Sequence, residues 1–252
     1  MIDIVTLTRD GSTRTITLND PERRNAMSIA LFDGLDDIIG QLQAEDDADI
    51  IIVRGAGKAV CAGFDLGAAV EEPECMATFI RRLSEVIRRL RRLPGIVVMA
   101  VHGAAIAGGC ALVTAGDVVI VTRDAKLGYP VHAIGVSPAV TTPSLSMAIG
   151  DGPARAMLLG GELITGDTAG EIGLATHVVE AAAFDDAVQS IVDRLLTSGA
   201  NARRMTKSWL NTLDGSDENA RFDGPAEGSC DLTTTEESRA LLERFWARRS
   251  SR

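Results

Sequence analysis

The stretch Val97-Val98-Met99-Ala100-Val101-His102-Gly103-Ala104-Ala105-Ile106-Ala107-Gly108-Gly109-Cys110-Ala111-Leu112 decides the reading of this chain. A β-branched apolar run rises to a turn, small residues follow, and an apolar sequence of helical character leads away, so the expected order is strand, turn, helix start. Gly108 and Gly109 fall where the helix should begin. The backbone there carries no side chains, and its first N–H groups lack intrahelical partners. Free donors at the positive end of a helix suit an anionic oxygen, although two glycines could also serve only tight strand-to-helix packing.

Working outward, the 252 residues are enough to bury a large core, and 46% hydrophobic with 24% charged residues is the balance of a folded globular chain. No apolar run approaches the ~20 residues that span a bilayer. Met1-Ile2-Asp3-Ile4 shows no basic segment before an apolar core, so no signal peptide and a cytoplasmic location are expected. The formal charge of −10 disfavours nucleic acid and anionic membranes as partners. Cys61, Cys75, Cys110 and Cys230 have no CxxC spacing, which predicts reduced thiols and neither a metal site nor a disulfide framework.

Upstream, Ile2–Arg9 and Thr13–Leu18 alternate around Asp10-Gly11 and predict a hairpin. Ser28 should cap a helix through Leu42, and Ile50–Arg54 reads as a buried strand running into the glycine-interrupted turn Gly55–Leu66. Met76–Leu93 is an arginine-rich helix whose arginines read as a solvated face, stopped by Pro94-Gly95. Downstream, Val118–Thr122 and Ala175–Val179 predict strands, Leu127–Pro138 a loop, and Ser144–Ile149, Ala154–Leu159 and Thr168–Ile172 helices. From Phe184 the chain reads as helical, except for a polar loop or mobile cover over Gly215–Asp231. Leu241, Leu242, Phe245 and Trp246 are too apolar to stand exposed and should pack on this chain or on a neighbouring subunit. The whole is α/β, with a parallel-rich core followed by a helical tail.

Three segments in order carry a family pattern: Asn19-Asp20-Pro21-Glu22-Arg23-Arg24-Asn25-Ala26-Met27-Ser28, Lys58–Leu66, and Val101-His102-Gly103 through Ala107-Gly108-Gly109-Cys110. On these residues the chain resembles the crotonase superfamily, the enoyl-CoA hydratase/isomerase family. The resemblance implies a spiral of ββα units over 1–195 and a helical C-terminal region over 196–252 that builds homotrimers or homohexamers. It implies a coenzyme A thioester as substrate, with no separate cofactor. The backbone N–H groups of Phe64 and Gly108 would polarise the thioester carbonyl. Arg23, Arg24 and Ala26 would lie near the nucleotide, and Ala62, Gly63, Asp65 and Leu66 near the pantetheine and adenine. Lys207 would reach a phosphate.

Hydratases of the family use two glutamates as their acid–base pair, at positions held here by Ala111 and Val131. Such groups are worth roughly 10²–10⁴ in rate apiece. Replacements are few. His132 could titrate near neutrality and Tyr129 could orient a substrate or donate a proton, whereas His102, His177 and Cys110 read as structural. The expected activity is that of an atypical lyase or isomerase of acyl-CoA. The alternatives are a catalytically silent acyl-CoA binder, or a decarboxylase or thioester hydrolase on the same scaffold.

Overall fold

The computed structural model describes residues 3–250. Met1 and Ile2, at which the reading of the amino terminus and of the first strand begins, lie outside the described residues, as do residues 251 and 252. The hairpin forms from β1 (Val5–Asp10) and β2 (Thr13–Leu18), turning at Gly11 with φ +53°. The loop 19–28 follows, and the Ser28 hydroxyl accepts from Leu31 N to start α1 (Ile29–Gln43), whose apolar stripe Leu31, Leu35, Ile38, Ile39 and Leu42 is buried. β3 (Ile50–Gly55) pairs in parallel with β2. After it come α2 (Leu66–Glu71), capped by Asp65 as its place before Leu66 suggests, and α3 (Cys75–Arg91).

The deciding stretch is richer than its sequence suggests. β4 (Ile96–Val101) enters the main sheet, a turn at Gly103 follows, and a second short strand, β5 (Ala104–Ile106), precedes α4 (Gly108–Val113). The next turn repeats the plan with β6 (Val118–Thr122) and β7 (Lys126–Gly128), then α5 (Thr142–Ile149) and α6 (Asp151–Gly160). β8 (Leu163–Thr165), α7 (Gly166–Glu171) and β9 (His177–Val179) complete the core. The strands form one sheet of order β1-β2-β3-β4-β6-β9 and a second of order β5-β7-β8. Successive turns thus supply strands to both sheets and a helix, a ββα spiral. β5, β7 and β8 are three residues each, too short to show a period. β7 falls at the edge of the segment read as a loop, and only pairing across the spiral makes these residues strands.

Four helices follow: α8 (Phe184–Leu196), where the expected boundary near 195 falls, then α9 (Ala200–Asp214), α10 (Asn219–Thr233) and α11 (Glu236–Ser250). α10 corrects the expectation of a loop over 215–231. Gly224, Pro225 and Gly228 disguise it, yet Phe222, Ala226, Ser229, Cys230 and Thr233 form one buried stripe at helical spacing. The same packing corrects the reading of the arginines of α3. Arg81 pairs with Glu227 at 2.7 Å and Arg88 with Asp223 at 2.7 Å on α10, while Arg82 and Arg89 pair with Asp36 on α1 at 2.6 and 3.0 Å. These arginines tie α3 to its neighbours. No helix among the described residues is long and apolar enough to cross a membrane.

Candidate active site

Two turns meet at the site. The first, Ala62-Gly63-Phe64-Asp65, is bridged to Met27: Met27 N donates to Gly63 O at 2.8 Å and Asp65 N to Met27 O at 3.1 Å. That pairing leaves the Phe64 N–H between them without an acceptor among the described residues. The second is the entry to α4. Ala107 adopts φ 52°, ψ −114°, a conformation L-residues rarely take, and is held there because its N–H donates to Gly128 O at 2.8 Å. The kink leaves the N–H groups of Gly108, Gly109 and Cys110 without acceptors among the described residues. The turns touch: a Cβ on Gly63 would lie 3.0 Å from Ile106 O and 3.6 Å from Gly108 N, and a Cβ on Gly108 would meet the Phe64 ring at 3.2 Å.

Phe64 and Gly108 line one cavity of about 150 Å³. Its walls come from Ala62, Leu66 and Ala107 beside the turns, Ile80 and Leu83 of α3, Tyr129–Val131, Ile134, Val136–Pro138, Val140 and Thr141 of the following loop, and Phe245 of α11. Ala111 and Val131 line it as well. Among the described residues no acidic, basic or histidine side chain does; the side-chain hydroxyls of Tyr129, Ser137 and Thr141 are the polar side-chain groups there. α11 therefore packs on its own chain, with Phe245 at the cavity and Trp246 against Gly67 of α2.

Tyr129 is 1% exposed, and its hydroxyl makes no hydrogen bond. Its polar neighbours are the Cys110 thiol and the Thr141 hydroxyl. Burial first, then Cys110, push its pKa well above the usual tyrosine value, so it stays a neutral hydroxyl. Burial pushes the Cys110 and Cys61 thiols up to about 12, which suits the packing role expected of Cys110.

Other residues singled out in the sequence lie apart from this cavity. His132 is exposed and lines a separate groove with Ser146, Asp151 and Arg155, so it is not brought to the acyl cavity. His102 Nε2 lies 2.9 Å from Gly57 O, and His177 Nδ1 lies 2.9 Å from the Thr176 hydroxyl, in the structural roles expected of them. Lys207 is 4% exposed: its Nζ donates to Asp117 Oδ2 at 2.6 Å and Gly95 O at 2.8 Å, which ties it down in the fold and away from a phosphate. Arg23 and Arg24 are exposed, Ala26 and Ala62 half-buried, and Ala62 N donates to Arg24 O at 3.0 Å, which brings this group to the mouth of the first turn. Arg23 pairs with Asp65. Asn25, which sequence reading passed over, builds that loop: buried, it accepts from Asp20 N at 2.8 Å and donates to Ala56 O and Ala59 O at 3.0 and 2.9 Å. An Asn after two arginines gives no hint of this in the sequence. Among the described residues no group of three or more His, Cys, Asp or Glu could hold a metal ion.

Comparison with known proteins agrees with this architecture. A family model described as enoyl-CoA hydratase/isomerase matches residues 8–251. The short-chain-enoyl-CoA hydratase of Clostridium acetobutylicum is 28% identical over 253 residues, covering 97% of this chain and 95% of the relative. The 1,2-epoxyphenylacetyl-CoA isomerase of Escherichia coli is 31% identical over 208 residues, 79% of each. The crystal structure of an enoyl-CoA hydratase/isomerase from Mycobacterium paratuberculosis superposes with a TM-score of 0.85 at 28% identity, covering 97% of this chain and 99% of that one. On a family model that spans nearly its whole length, and on the two converging turns of its ββα spiral, the chain belongs to the enoyl-CoA hydratase/isomerase family.

Proposed function

We propose that this protein binds an acyl-CoA thioester with its carbonyl oxygen accepting from Phe64 N–H and Gly108 N–H, stabilises the enolate formed there, and does so without a carboxylate acid–base pair. The observation that carries the reading is the pair of N–H groups without acceptors lining one cavity. Enolate formation moves negative charge onto the carbonyl oxygen, and donors already fixed by the backbone stabilise it without reorganising; losing one such donor typically costs about 10²–10³ in rate. The acyl chain extends along Ile80, Leu83 and Val140, in a volume that suits a group of roughly benzene size. Arg23 and Arg24 contribute positive charge at the mouth for the nucleotide phosphates. No coenzyme beyond the thioester is required, and the chain works in the cytoplasm as a homotrimer or homohexamer. Support for assembly comes from α9, where Met205, Trp209 and Leu213 leave one apolar face 58–79% exposed.

A second reading is favoured by the same cavity. With Ala111 and Val131 where the resemblance expects glutamates, and only neutral hydroxyls nearby, the protein could hold acyl-CoA without turning it over. Isotope-edited infrared difference spectra of crotonyl-CoA carrying a ¹³C thioester carbonyl test the shared part of both readings. A carbonyl stretch lowered on binding is expected; a bound thioester with the stretch it has in water overturns the polarising role of Phe64 and Gly108. Turnover of enoyl, malonyl-type and saturated acyl-CoAs then separates enzyme from silent binder.

A further inference from the structure

The chain carries a formal charge of −10, yet one groove far from that sign is lined mainly by cations. It has a volume of about 550 Å³ and lies between the turn after α3, at Arg92, Leu93 and Pro94, and one strip of α9. That strip, Asn201, Arg204, Ser208 and Asn211, has the spacing of a single helix face, and Met205 marks its border with exposed Trp209 and Leu213. The groove shares no lining residue with the acyl cavity. Its guanidiniums are incompletely used. Arg92 donates through Nε to Ser216 O and through Nη1 to Asn219 Oδ1, each at 2.8 Å and each a neutral acceptor, while its Nη2 is buried without a partner among the described residues. Arg204 donates through Nη2 to Asp46 O at 2.6 Å and Asp49 Oδ1 at 3.0 Å, and its Nε is likewise buried and unpaired. Arg203 reaches the same Asp49 at 3.9 Å, so two arginines divide one carboxylate. Buried N–H groups without acceptors are rare in native proteins and call for a role. Burial, then Arg88, hold the Arg92 pKa below its usual value, and burial lowers that of Lys207 against the pull of Asp117. Two cations destabilised in one place lack negative charge. The acid among the lining residues is exposed Asp217, whose Oδ2 accepts from Thr212 Oγ1 at 2.8 Å.

We propose that this groove is a second ligand site, for a small tetrahedral oxyanion of the phosphate or sulfate class, held by Arg92 Nη2 and Arg204 Nε. Such an ion offers acceptors to two separate guanidiniums at once, and hydrogen bonds between ionised partners are about twice as strong as neutral ones. Arg92 and Arg204 are half-buried at the groove, so a small turn of either long side chain brings its spare N–H to an oxygen there. Lys207 spends its Nζ on Asp117 and Gly95 O, so it contributes charge to the groove and no bond. Asp217, at the rim, opposes the ion and limits its affinity. Arg23 and Arg24, the arginines proposed for the nucleotide phosphates, do not line the groove, which makes its oxyanion a free one.

Calorimetric titration of the full-length protein with sodium phosphate and with sodium chloride, at one ionic strength, tests this. Phosphate should bind at least about tenfold tighter than chloride, the value of one charge-assisted hydrogen bond. Arg92→Gln and Arg204→Gln should each remove that advantage. Asp217→Asn should tighten phosphate about two- to fivefold by taking a like charge from the rim. If Arg92→Gln does not fold, Arg204→Gln and Asp217→Asn carry the test, because a merely destabilised protein would not shift affinity in opposite directions. Butyryl-CoA titrated into the folded variants should bind as it does to the wild type. Phosphate no tighter than chloride, or an advantage that survives the arginine substitutions, overturns the proposal. A loss of butyryl-CoA affinity in step with that of phosphate overturns it too, since the oxyanion would then belong to the nucleotide.

Discussion

A Cβ placed on Gly109 would lie 2.4 Å from the carbonyl oxygen of Cys61. The backbone of α4 is therefore pressed against the turn that carries Phe64, and the spacing of the two proposed donors depends on a missing methyl. Gly108 is more forgiving, its nearest would-be contacts being Met27 Sδ at 3.0 Å and the Phe64 ring at 3.2 Å, both side chains. Gly109→Ala should cost about 1–3 kcal/mol of stability by overpacking and weaken acyl-CoA binding in the molecules that fold. Gly108→Ala should destabilise less. Urea melts with parallel titrations of butyryl-CoA check the ranking, and equal effects of the two would contradict it.

The buried Lys207–Asp117 pair gives an outcome opposite to the one expected of a phosphate ligand. Asp117 Oδ2 also accepts from Val97 N at 2.7 Å, so removing the lysine strands a carboxylate at the head of β4. Lys207→Ala should destabilise the fold by about 3 kcal/mol and leave the CoA affinity of the folded protein unchanged. A fall in affinity with little loss of stability would return Lys207 to the binding site.

Replacing Ala111 and Val131 by glutamate asks whether the missing carboxylates limit hydration. The double substitution should raise crotonyl-CoA hydration by at least about 10², the lower range for one general acid–base group, provided circular dichroism shows the native fold. Wild-type turnover already matching the double variant would mean that another group moves the proton.

Thiol chemistry should follow burial. Cys61 and Cys110, fully buried with their pKa pushed up to about 12, should resist iodoacetamide at pH 8 until the protein unfolds, whereas half-buried Cys75 labels slowly in the native state. Rapid native labelling of Cys110, read by peptide mass spectrometry, would reopen a nucleophilic role.

Glu45 is held below its usual 4.5 by Arg14 first and then Arg9, the Arg14 contact at 2.6 Å. A carboxylate with a depressed folded pKa contributes stability above the unfolded value and loses it as pH falls through the folded one. The stability difference between wild type and Glu45→Gln should thus be full at pH 6–7 and shrink below the usual 4.5. A difference independent of pH would show that the contact is one of shape and not of charge.

The hairpin, the helix capped by Ser28, the strands of the main sheet and the two glycine-rich turns were legible in the sequence, because long apolar runs, helical stripes and turn chemistry act locally. The family resemblance was legible for the same reason: its motifs are the turns themselves. What only the tertiary structure decided is everything that depends on a distant partner. Three-residue strands exist by pairing across the spiral. α10 is a helix because its buried face has α3 and the 138–141 turn to pack on. His132 faces out, Lys207 is buried against Asp117, and the Tyr129 hydroxyl is buried in the cavity wall beside Cys110 and Thr141. Local propensity is written in neighbouring residues, but where a side chain points is set by which surface the folded chain brings opposite it.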